Sequence, residues 1–245
     1  MKYTDTIIII PARFNSTRLP GKSLADINGL PMVVRVMKIA ESLKLCDVVV
    51  ATEDKKVVDA VLSHGGKAIL TSNDLQSGTD RVFQALKKIG GKYNYIINLQ
   101  GDMPNIDGKI IKEVIATLRK KKDIDILTAV YKIVDQKWRD KPQCVKAVLA
   151  YNKDRNFHKC IYFSRSNIPN GSGDAYAHVG IYGYTKKSLK KFVSLPVSLL
   201  EKSEKLEQLR AIENGMSVHT IIVDSFPISV DVLDDLKIAR KYIKL

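Results

Sequence analysis

The residues able to do chemistry gather in a few short stretches, and the densest is Pro11-Ala12-Arg13-Phe14-Asn15-Ser16-Thr17-Arg18-Leu19-Pro20-Gly21-Lys22. Arg13 and Arg18 offer forked donors that match phosphate oxygens, and Lys22 adds a mobile point charge. Ser16 and Thr17 supply hydroxyls, and Pro20-Gly21 lets the backbone double back. Such a set suits a polyanion such as a triphosphate. Its spacing is neither the Walker phosphate loop nor the glycine fingerprint of dinucleotide sites. A solvated basic loop is the bland alternative, and the run of isoleucines at Ile7–Ile10 directly before it argues against that reading.

Carboxylates that could face these cations lie far along the chain. In Asn98-Leu99-Gln100-Gly101-Asp102-Met103-Pro104, Asp102 projects at the end of an apolar run and Gly101 permits a tight turn. Mg²⁺ takes one or two protein carboxylates plus phosphate oxygens and waters, so Asp102 is a candidate ligand; a cap or turn aspartate is the alternative. Asp231, in Val230-Asp231-Val232-Leu233-Asp234-Asp235, is the candidate second ligand. Asp234 and Asp235 sit where they complement the N-terminus of a final helix. A further stretch, Gln76-Ser77-Gly78-Thr79-Asp80-Arg81, opens a helix. Thr79 is placed to cap it, and Gly78 lets a ligand approach the backbone. Alone, this is only a capped helix start.

These stretches need a scaffold, and the first half supplies one by alternating strand-like and helix-like segments. Strands are expected at Thr6–Ile10, Cys46–Ala51, Ala68–Thr71 and Tyr95–Leu99, and helices at Pro31–Leu43, Asp54–His64, Thr79–Ile89 and Lys109–Lys120. Such alternation requires crossovers, hence a mainly parallel sheet covered by helices, with ligands beyond the carboxyl ends of its strands. The loops after Ile10, Ala51, Thr71 and Leu99 are then the important ones. The second half is more mixed. Strands are expected at Ile126–Val130, Val145–Ala150, Ile161–Phe163, Val179–Tyr184 and Ser217–Val223, one amphipathic helix at Leu199–Asn214, and a last helix at Leu233–Tyr242. With no linker, repeat or low-complexity tract, one domain of 245 residues is the simplest organisation, with a sub-region around 125–215.

Composition narrows the class. The chain is 45% hydrophobic and 27% charged, which is ordinary for a globular protein. It has no apolar run long enough to cross a bilayer and no signal-peptide pattern at its start, so a cytoplasmic location is expected. Three cysteines, Cys46, Cys144 and Cys160, lie far apart with no metal-ligand spacing and read as buried thiols. The net charge of +14 is compatible with nucleic acid, with an anionic small substrate, or with a lysine-rich surface. The basic residues are spread along the chain, and the densest runs, Arg119–Lys122 and Lys186–Lys191, read as helix ends or exposed helix faces. No zinc-finger spacing or RNA-binding aromatic signature accompanies them, so no nucleic-acid partner is expected.

Taken together the motifs resemble a family. The first loop, Gln76–Arg81 and Gln100-Gly101-Asp102 are similar to the corresponding motifs of the CMP-Kdo synthetases, the 3-deoxy-manno-octulosonate (Kdo) cytidylyltransferases. So are His178-Val179-Gly180-Ile181-Tyr182-Gly183-Tyr184 and Leu206–Gly215 and, more weakly, Tyr162-Phe163-Ser164-Arg165 and Val145-Lys146. The match runs in order from about residue 6 to residue 240. It implies a nucleotide-diphospho-sugar transferase (Rossmann-like) α/β fold. It also implies that Arg13, Ser16, Arg18 and Lys22 hold CTP phosphates, that Gln76, Ser77, Gly78, Thr79 and Arg81 cradle the cytidine, and that Asp102 and Asp231 bind Mg²⁺. Gln100, Arg165, His178, Tyr182, Glu207 and Gln208 would form the sugar pocket. Without the resemblance, His178 and Tyr182 would pass for core residues, and Glu207 and Gln208 for a helix face.

Several positions depart from the family pattern: Leu75 replaces a usual His, Met103 a usual Glu, and Val232 a usual Thr; Gln143-Cys144 stands where Asn is common, and the 168–178 stretch is short. The implied reaction is in-line attack of the Kdo anomeric hydroxyl on the α-phosphorus of CTP, with Arg13, Lys22, Asp102 and Asp231 as the catalytic set and no obvious general base. The implied assembly is a homodimer serving lipopolysaccharide synthesis. The alternatives are a cytidylyltransferase for another acidic sugar, such as sialic acid or an 8-amino Kdo analogue, and a basic nucleic-acid-binding protein, which would bind any oligonucleotide with steep salt dependence.

Overall fold

The computed structural model describes residues 2–14, 16–153, 156–171 and 173–244. Asn15 of the first loop and Ser172 of the short 168–178 stretch lie outside them. In chain order the elements are β1 (Thr6–Ala12), a 3₁₀ turn (Lys22–Leu24), β2 (Asp26–Ile27), β3 (Leu30–Pro31), α1 (Met32–Ser42), β4 (Asp47–Thr52), α2 (Lys55–Ser63), β5 (Ala68–Leu70), α3 (Gly78–Ile89), β6 (Tyr95–Leu99) and α4 (Gly108–Lys120). They continue with β7 (Ile126–Lys132), α5 (Gln136–Arg139), β8 (Lys146–Leu149), β9 (Phe157–Ser164), β10 (Tyr176–Thr185), α6 (Lys186–Ser194), α7 (Leu199–Glu204), α8 (Gln208–Glu213), β11 (Val218–Val223) and α9 (Leu233–Tyr242). The α/β class with a mixed sheet and covering helices is as the alternation requires.

The chain divides into two compact units, residues 1–112 with 227–245, and residues 113–226. In the first, β5-β4-β1-β6 pair in that order and all in parallel. Every residue of β1 is buried, as expected of a strand covered on both faces by helices. A second cluster of Ile27, Met32, Val230, Leu236, Ala239 and Ile243 seats α9, and Leu19 of the first loop packs against it. The hairpin β2–β3, which the sequence pattern did not foretell, closes the C-terminal end of α9: Asn28 Nδ2 donates to the carbonyls of Arg240 (2.8 Å) and Ile243 (2.6 Å). In the second unit β7 and β11 are parallel, and the remaining pairings of β8, β9, β10 and β11 are antiparallel.

Two local expectations are corrected. The cap of α3 is Ser77, not Thr79. Ser77 Oγ accepts the Asp80 N–H (3.1 Å) while the Asp80 carboxylate accepts the Ser77 N–H (3.1 Å), a reciprocal capping box. Thr79 lies two residues on, within the first turn, and is buried. The segment Leu199–Asn214 is not one helix. It breaks after α7 at Lys205, whose backbone is left-handed (φ 56°) and whose N–H bonds the Glu201 carbonyl. The apolar period runs through the break, because periodicity counts faces and is blind to a single left-handed residue. The Glu201 carboxylate then pins α8 to α7 through both Arg210 Nε (2.8 Å) and Nη2 (2.7 Å).

The surface and thiol expectations hold. Lys186, Lys187, Lys190 and Lys191 are exposed on α6. All three cysteines are free and buried, and burial pushes the Cys46 thiol up to about 12 and Cys144 up to about 11. Among the described residues no helix is long and apolar enough to cross a membrane.

The left-handed Lys205 yields a stability prediction. A non-glycine residue pays a steric penalty there that glycine does not, and the Lys205 side chain is exposed. Lys205→Gly is expected to raise stability by about 0.5–1 kcal/mol. A urea midpoint that rises with an unchanged slope, against no gain for Lys205→Ala, is the check.

Candidate active site

The first loop leaves β1 at the carboxyl edge of the parallel strands and turns back on itself. Phe14 O accepts the Gly21 N–H (3.2 Å), Leu19 O accepts the Lys22 N–H (3.0 Å), and Gly21 takes the left-handed conformation (φ 69°) that the turn needs. Lys22 thus opens the 3₁₀ turn and reaches across the end of β6. Its ammonium lies 2.8 Å from Asp102 Oδ2 and 2.8 Å from Asp231 Oδ1. Arg18 Nη2 lies 3.2 Å from the same Asp231 oxygen. Burial alone would lower the Lys22 pKa; the charges and hydrogen bonds of the two aspartates together outweigh it, and the pKa is raised. Lys22 therefore stays charged through the neutral range.

The two aspartates meet because of the backbone. Asp102 O accepts the Val230 N–H (3.0 Å), and the wholly buried Val230 anchors the strand-like entry to α9 in the cluster that holds Leu19. Asp235 accepts the N–H groups of Asp231 (2.9 Å) and Val232 (3.0 Å), the structural role expected of it. Val232 makes no side-chain cap, so the Asp235 carboxylate serves this helix start without the hydroxyl that Thr would bring. Gly101 is needed for room rather than for its torsion, since a Cβ there would sit 3.2 Å from the Pro11 carbonyl oxygen.

A cleft of about 360 Å³ opens on this edge, lined by Arg13, Ser16, Arg18, Lys22, Asp102 and Asp231 together with Gly78 and Gln100. The sequence-predicted cations, hydroxyl and carboxylates of the first unit thus line one cleft. Gln76 and Ser77 enter α3 beside it; Thr79 and Arg81 are buried beneath. Arg81 is 1% exposed, and its Nη1 lies 3.0 Å from Glu53 Oε2 and donates to Thr71 Oγ1 and the Ser72 carbonyl. Burial lowers the Arg81 pKa, Glu53 opposes that, and the nearby Arg13 adds to the lowering.

Residues the sequence reading missed form the layer behind. Glu53 Oε1 accepts the Phe14 N–H (2.9 Å), so one buried carboxylate ties Arg81 to the first loop. Asn98 donates from Nδ2 to Thr79 Oγ1 (3.1 Å) and accepts at Oδ1 from Gln100 Nε2 (2.9 Å), which orients the Gln100 amide. The signal was available: Asn98 and Gln100 are two apart at the end of a strand and share a face. The departure at Leu75 costs nothing visible in this network, because Arg13 Nη2 donates to the backbone carbonyl there (2.6 Å). Met103 is buried at 2% exposure, where a Glu would need a partner.

In the second unit, His178, Tyr182 and Gln208 come together. The Tyr182 hydroxyl donates to Gln208 Oε1 (3.2 Å), and the His178 and Tyr182 rings are 5.2 Å apart. His178 Nε2 is 2.8 Å from Thr128 Oγ1, and that hydroxyl donates to Ile181 O (2.7 Å). With the Thr128 proton given to Ile181 O, the Nε2–H tautomer of His178 completes the pair. Burial drives the His178 pKa down to about 3, so the ring is neutral near pH 7. Glu207 is half-buried at the start of α8. Arg165 is held separately, its Nε donating to Glu204 O (3.2 Å) and its Nη1 to Pro142 O (3.2 Å). Lys146, wholly buried, donates to the carbonyls of Cys144 (2.7 Å) and Arg165 (2.6 Å), fixing the Arg165 backbone.

Comparison with known proteins decides the family. The profile of the Cytidylyltransferase family matches residues 7–219. The chain belongs to the cytidylyltransferase family. Among similar cytidylyltransferases, the 3-deoxy-manno-octulosonate cytidylyltransferase of Paramagnetospirillum magneticum is 45% identical over 97% of each chain. That of Rhodospirillum rubrum is 42% identical over 96% of this chain and 94% of its own. A solved structure of CMP:2-keto-3-deoxy-manno-octonic acid synthetase complexed with CTP superposes with a TM-score of 0.88 at 36% identity, covering 97% of this chain and 98% of the other. A cytidylyltransferase from Leptospira borgpetersenii, at 18% identity and a TM-score of 0.61, shares the fold.

Two predictions concern the buried groups of this cytidylyltransferase. Glu53→Gln leaves Arg81 buried without its counter-charge and is expected to destabilise by about 3–5 kcal/mol, with Arg81→Met in the same chain recovering part of the loss; urea unfolding of the two single variants and the double variant measures the coupling. His178 has a folded pKa of about 3 against an ordinary 6.5. Between those values the unfolded chain binds a proton that the folded chain does not, so this group makes stability fall as pH falls. His178→Gln keeps an N–H for Thr128 and is expected to flatten the dependence between pH 6 and 4 by up to about 1.4 kcal/mol per pH unit. Unfolding free energies across that range, unchanged in slope, would refute it.

Proposed function

We propose that this protein transfers CMP from CTP to Kdo, giving CMP-Kdo and pyrophosphate. The observation that carries the reading is the convergence of Arg13, Arg18 and Lys22 with Asp102 and Asp231 on one cleft, in a cytidylyltransferase-family chain whose relatives bear the name of that activity at 42–45% identity.

In the proposed reaction the anomeric 2-hydroxyl oxygen bonds to the α-phosphorus of CTP, the bond from that phosphorus to the bridging oxygen breaks, and the hydroxyl proton passes to solvent. Arg13, Ser16, Arg18 and Lys22 hold the phosphates. The three cations offset the charge that grows on the departing pyrophosphate, an effect strongest where donors are already in place. Gln76, Ser77 and Gly78 cradle the cytidine, with Thr79 and Arg81 supporting from beneath. Gln100, Arg165, His178, Tyr182, Glu207 and Gln208 are assigned to the sugar. Neutral His178 serves there as a hydrogen-bonding group and not as an acid.

Mg²⁺ fits the donor set. Asp102 and Asp231 each place an oxygen 2.8 Å from one shared cation, the Lys22 ammonium, so the pair is already arranged around a positive charge. Two carboxylates, with no third acidic, histidine or cysteine ligand grouped with them among the described residues, leave room for phosphate oxygens and water, as Mg²⁺ prefers. When bound, the ion would screen phosphate charge and lower the pKa of the attacking hydroxyl. We further propose a cytoplasmic homodimer that supplies activated Kdo to lipopolysaccharide synthesis.

The test is pyrophosphate release from CTP and Mg²⁺ with Kdo, sialic acid or no sugar, before and after a chelator. Release is expected only with Kdo and divalent ion together. Asp102→Ala is expected to lower kcat by about 10²-fold or more while circular dichroism stays unchanged. Release indifferent to the sugar, faster with sialic acid, or undiminished in the variant would each count against the reading.

A further inference from the structure

The groups proposed to hold phosphate and the groups proposed to hold metal are bonded to each other. Lys22 Nζ sits 2.8 Å from both Asp102 and Asp231, and Arg18 Nη2 is 3.2 Å from the Asp231 oxygen that Lys22 also contacts. The Lys22 side chain is only 15% exposed, whereas that of Arg18 is 55% exposed, so Lys22 is the inner and better-shielded cation of the two. A tethered charge acts at high effective concentration, so it competes well against an ion arriving from solution.

Consider each ligand alone. A divalent ion entering by itself must displace the ammonium from between the carboxylates and leave it with no anion to face. A triphosphate entering by itself must draw Lys22 and Arg18 away and leave two bare carboxylates beside its own negative oxygens. Only when both enter does every charge regain an opposite partner.

We propose that Lys22 is a tethered counter-cation that occupies the metal position of the free protein and exchanges onto the nucleotide phosphates as metal and nucleotide enter together. The inference rests on the reading of Asp102 and Asp231 as metal ligands and adds to it a coupling between the two ligands. It assigns Lys22 a second role beside phosphate binding: keeping the carboxylate pair closed to divalent ions until nucleotide is present.

The experiment is Mn²⁺ binding to the whole protein, followed by water-proton relaxation, which separates protein-bound Mn²⁺ from free Mn²⁺ and from Mn²⁺–CTP. Wild type is expected to bind Mn²⁺ weakly without nucleotide. Lys22→Met and Lys22→Gln are expected to tighten that binding by about 5- to 150-fold, the range of typical coupling between sites. Arg18→Gln, at an exposed side chain, is expected to give a smaller gain in the same direction. CTP should narrow the gap between wild type and the Lys22 variants. Equal Mn²⁺ affinity of wild type and both Lys22 variants without nucleotide would overturn the proposal. Asp102→Asn separates the two failures. If it leaves Mn²⁺ binding in the presence of CTP untouched, the metal-ligand reading itself falls; if it abolishes that binding while the Lys22 variants match wild type, only the coupling falls.

Discussion

The arrangement turns on one contact, the Lys22 ammonium held between two carboxylates that reach it from 80 and 209 residues away. Partly exposed ion pairs contribute little to stability, so this contact cannot be what brings the chain ends together. Packing does that. Val230 is wholly buried in the cluster that also takes in Leu19, Ile27 and α9, and its N–H bonds the Asp102 carbonyl. Burying a valine is worth about 1.5–3 kcal/mol, enough for packing to set the position of the segment without the ion pair. The core therefore fixes the aspartates, and the charges are free to exchange partners without loosening the fold. A proposed metal and phosphate site needs that separation of labour, since its charges must be re-paired whenever ligand enters or leaves.

Behind the charged cleft lies a layer of buried polar pairs whose value is positional. Replacing a buried ion pair by apolar groups often costs nothing, so the Arg81–Glu53 pair is poor ground for a stability argument. Its geometry explains it better. Glu53 spends its other oxygen on the Phe14 N–H, while Arg81 binds Thr71 and Ser72, so a single carboxylate joins the basic loop to the segment leading into α3. Asn98 does the same for Gln100 from β6. Asn98 acts from β6 and Arg81 from α3, while Glu53 sits one residue past the end of β4, so each anchor is on or next to a regular element, as close positioning demands.

How much of this was legible in the sequence follows from where each partner lies. Arg13, Arg18, Lys22, Asp102 and Asp231 were visible because the segments that carry them each follow an apolar run, and the carboxyl end of a buried strand is where an α/β sheet binds ligands. The parallel strands of the first unit were visible for the same reason. Glu53 was not, because a polar residue just past a strand has no pattern of its own until its partner is known, and its partner Phe14 is 39 positions away. Ser77 and Thr79 are both good caps on composition, and only the reach of Asp80 back to Ser77 distinguishes them. The break at Lys205 was hidden because lysine gives no sign of a left-handed backbone, as a glycine would have.

The two units also differ in the electrostatics of their candidate residues. The first unit carries permanent charge, with Lys22 held protonated by its aspartates. The second carries neutral hydrogen-bonding groups at His178, Tyr182 and Gln208, with His178 kept uncharged by burial, besides the charged Arg165 and Glu207. Burial holds the His178 pKa down at about 3, so the ring is too weak a base to take the proton of an attacking hydroxyl near pH 7, and activation falls to the charged groups. What such a neutral cluster can do well is discriminate. Gln208 Nε2 is buried with no hydrogen-bond partner among the described residues. An acceptor that met it would relieve a standing penalty, and an acceptor lacking the matching oxygen would leave it in place. Sites built on buried hydrogen bonds of this kind can reject analogues by about 10⁴- to 10⁵-fold, far beyond the about 10- to 200-fold available to apolar contacts. The choice of acceptor sugar would then rest in part on such uncharged residues.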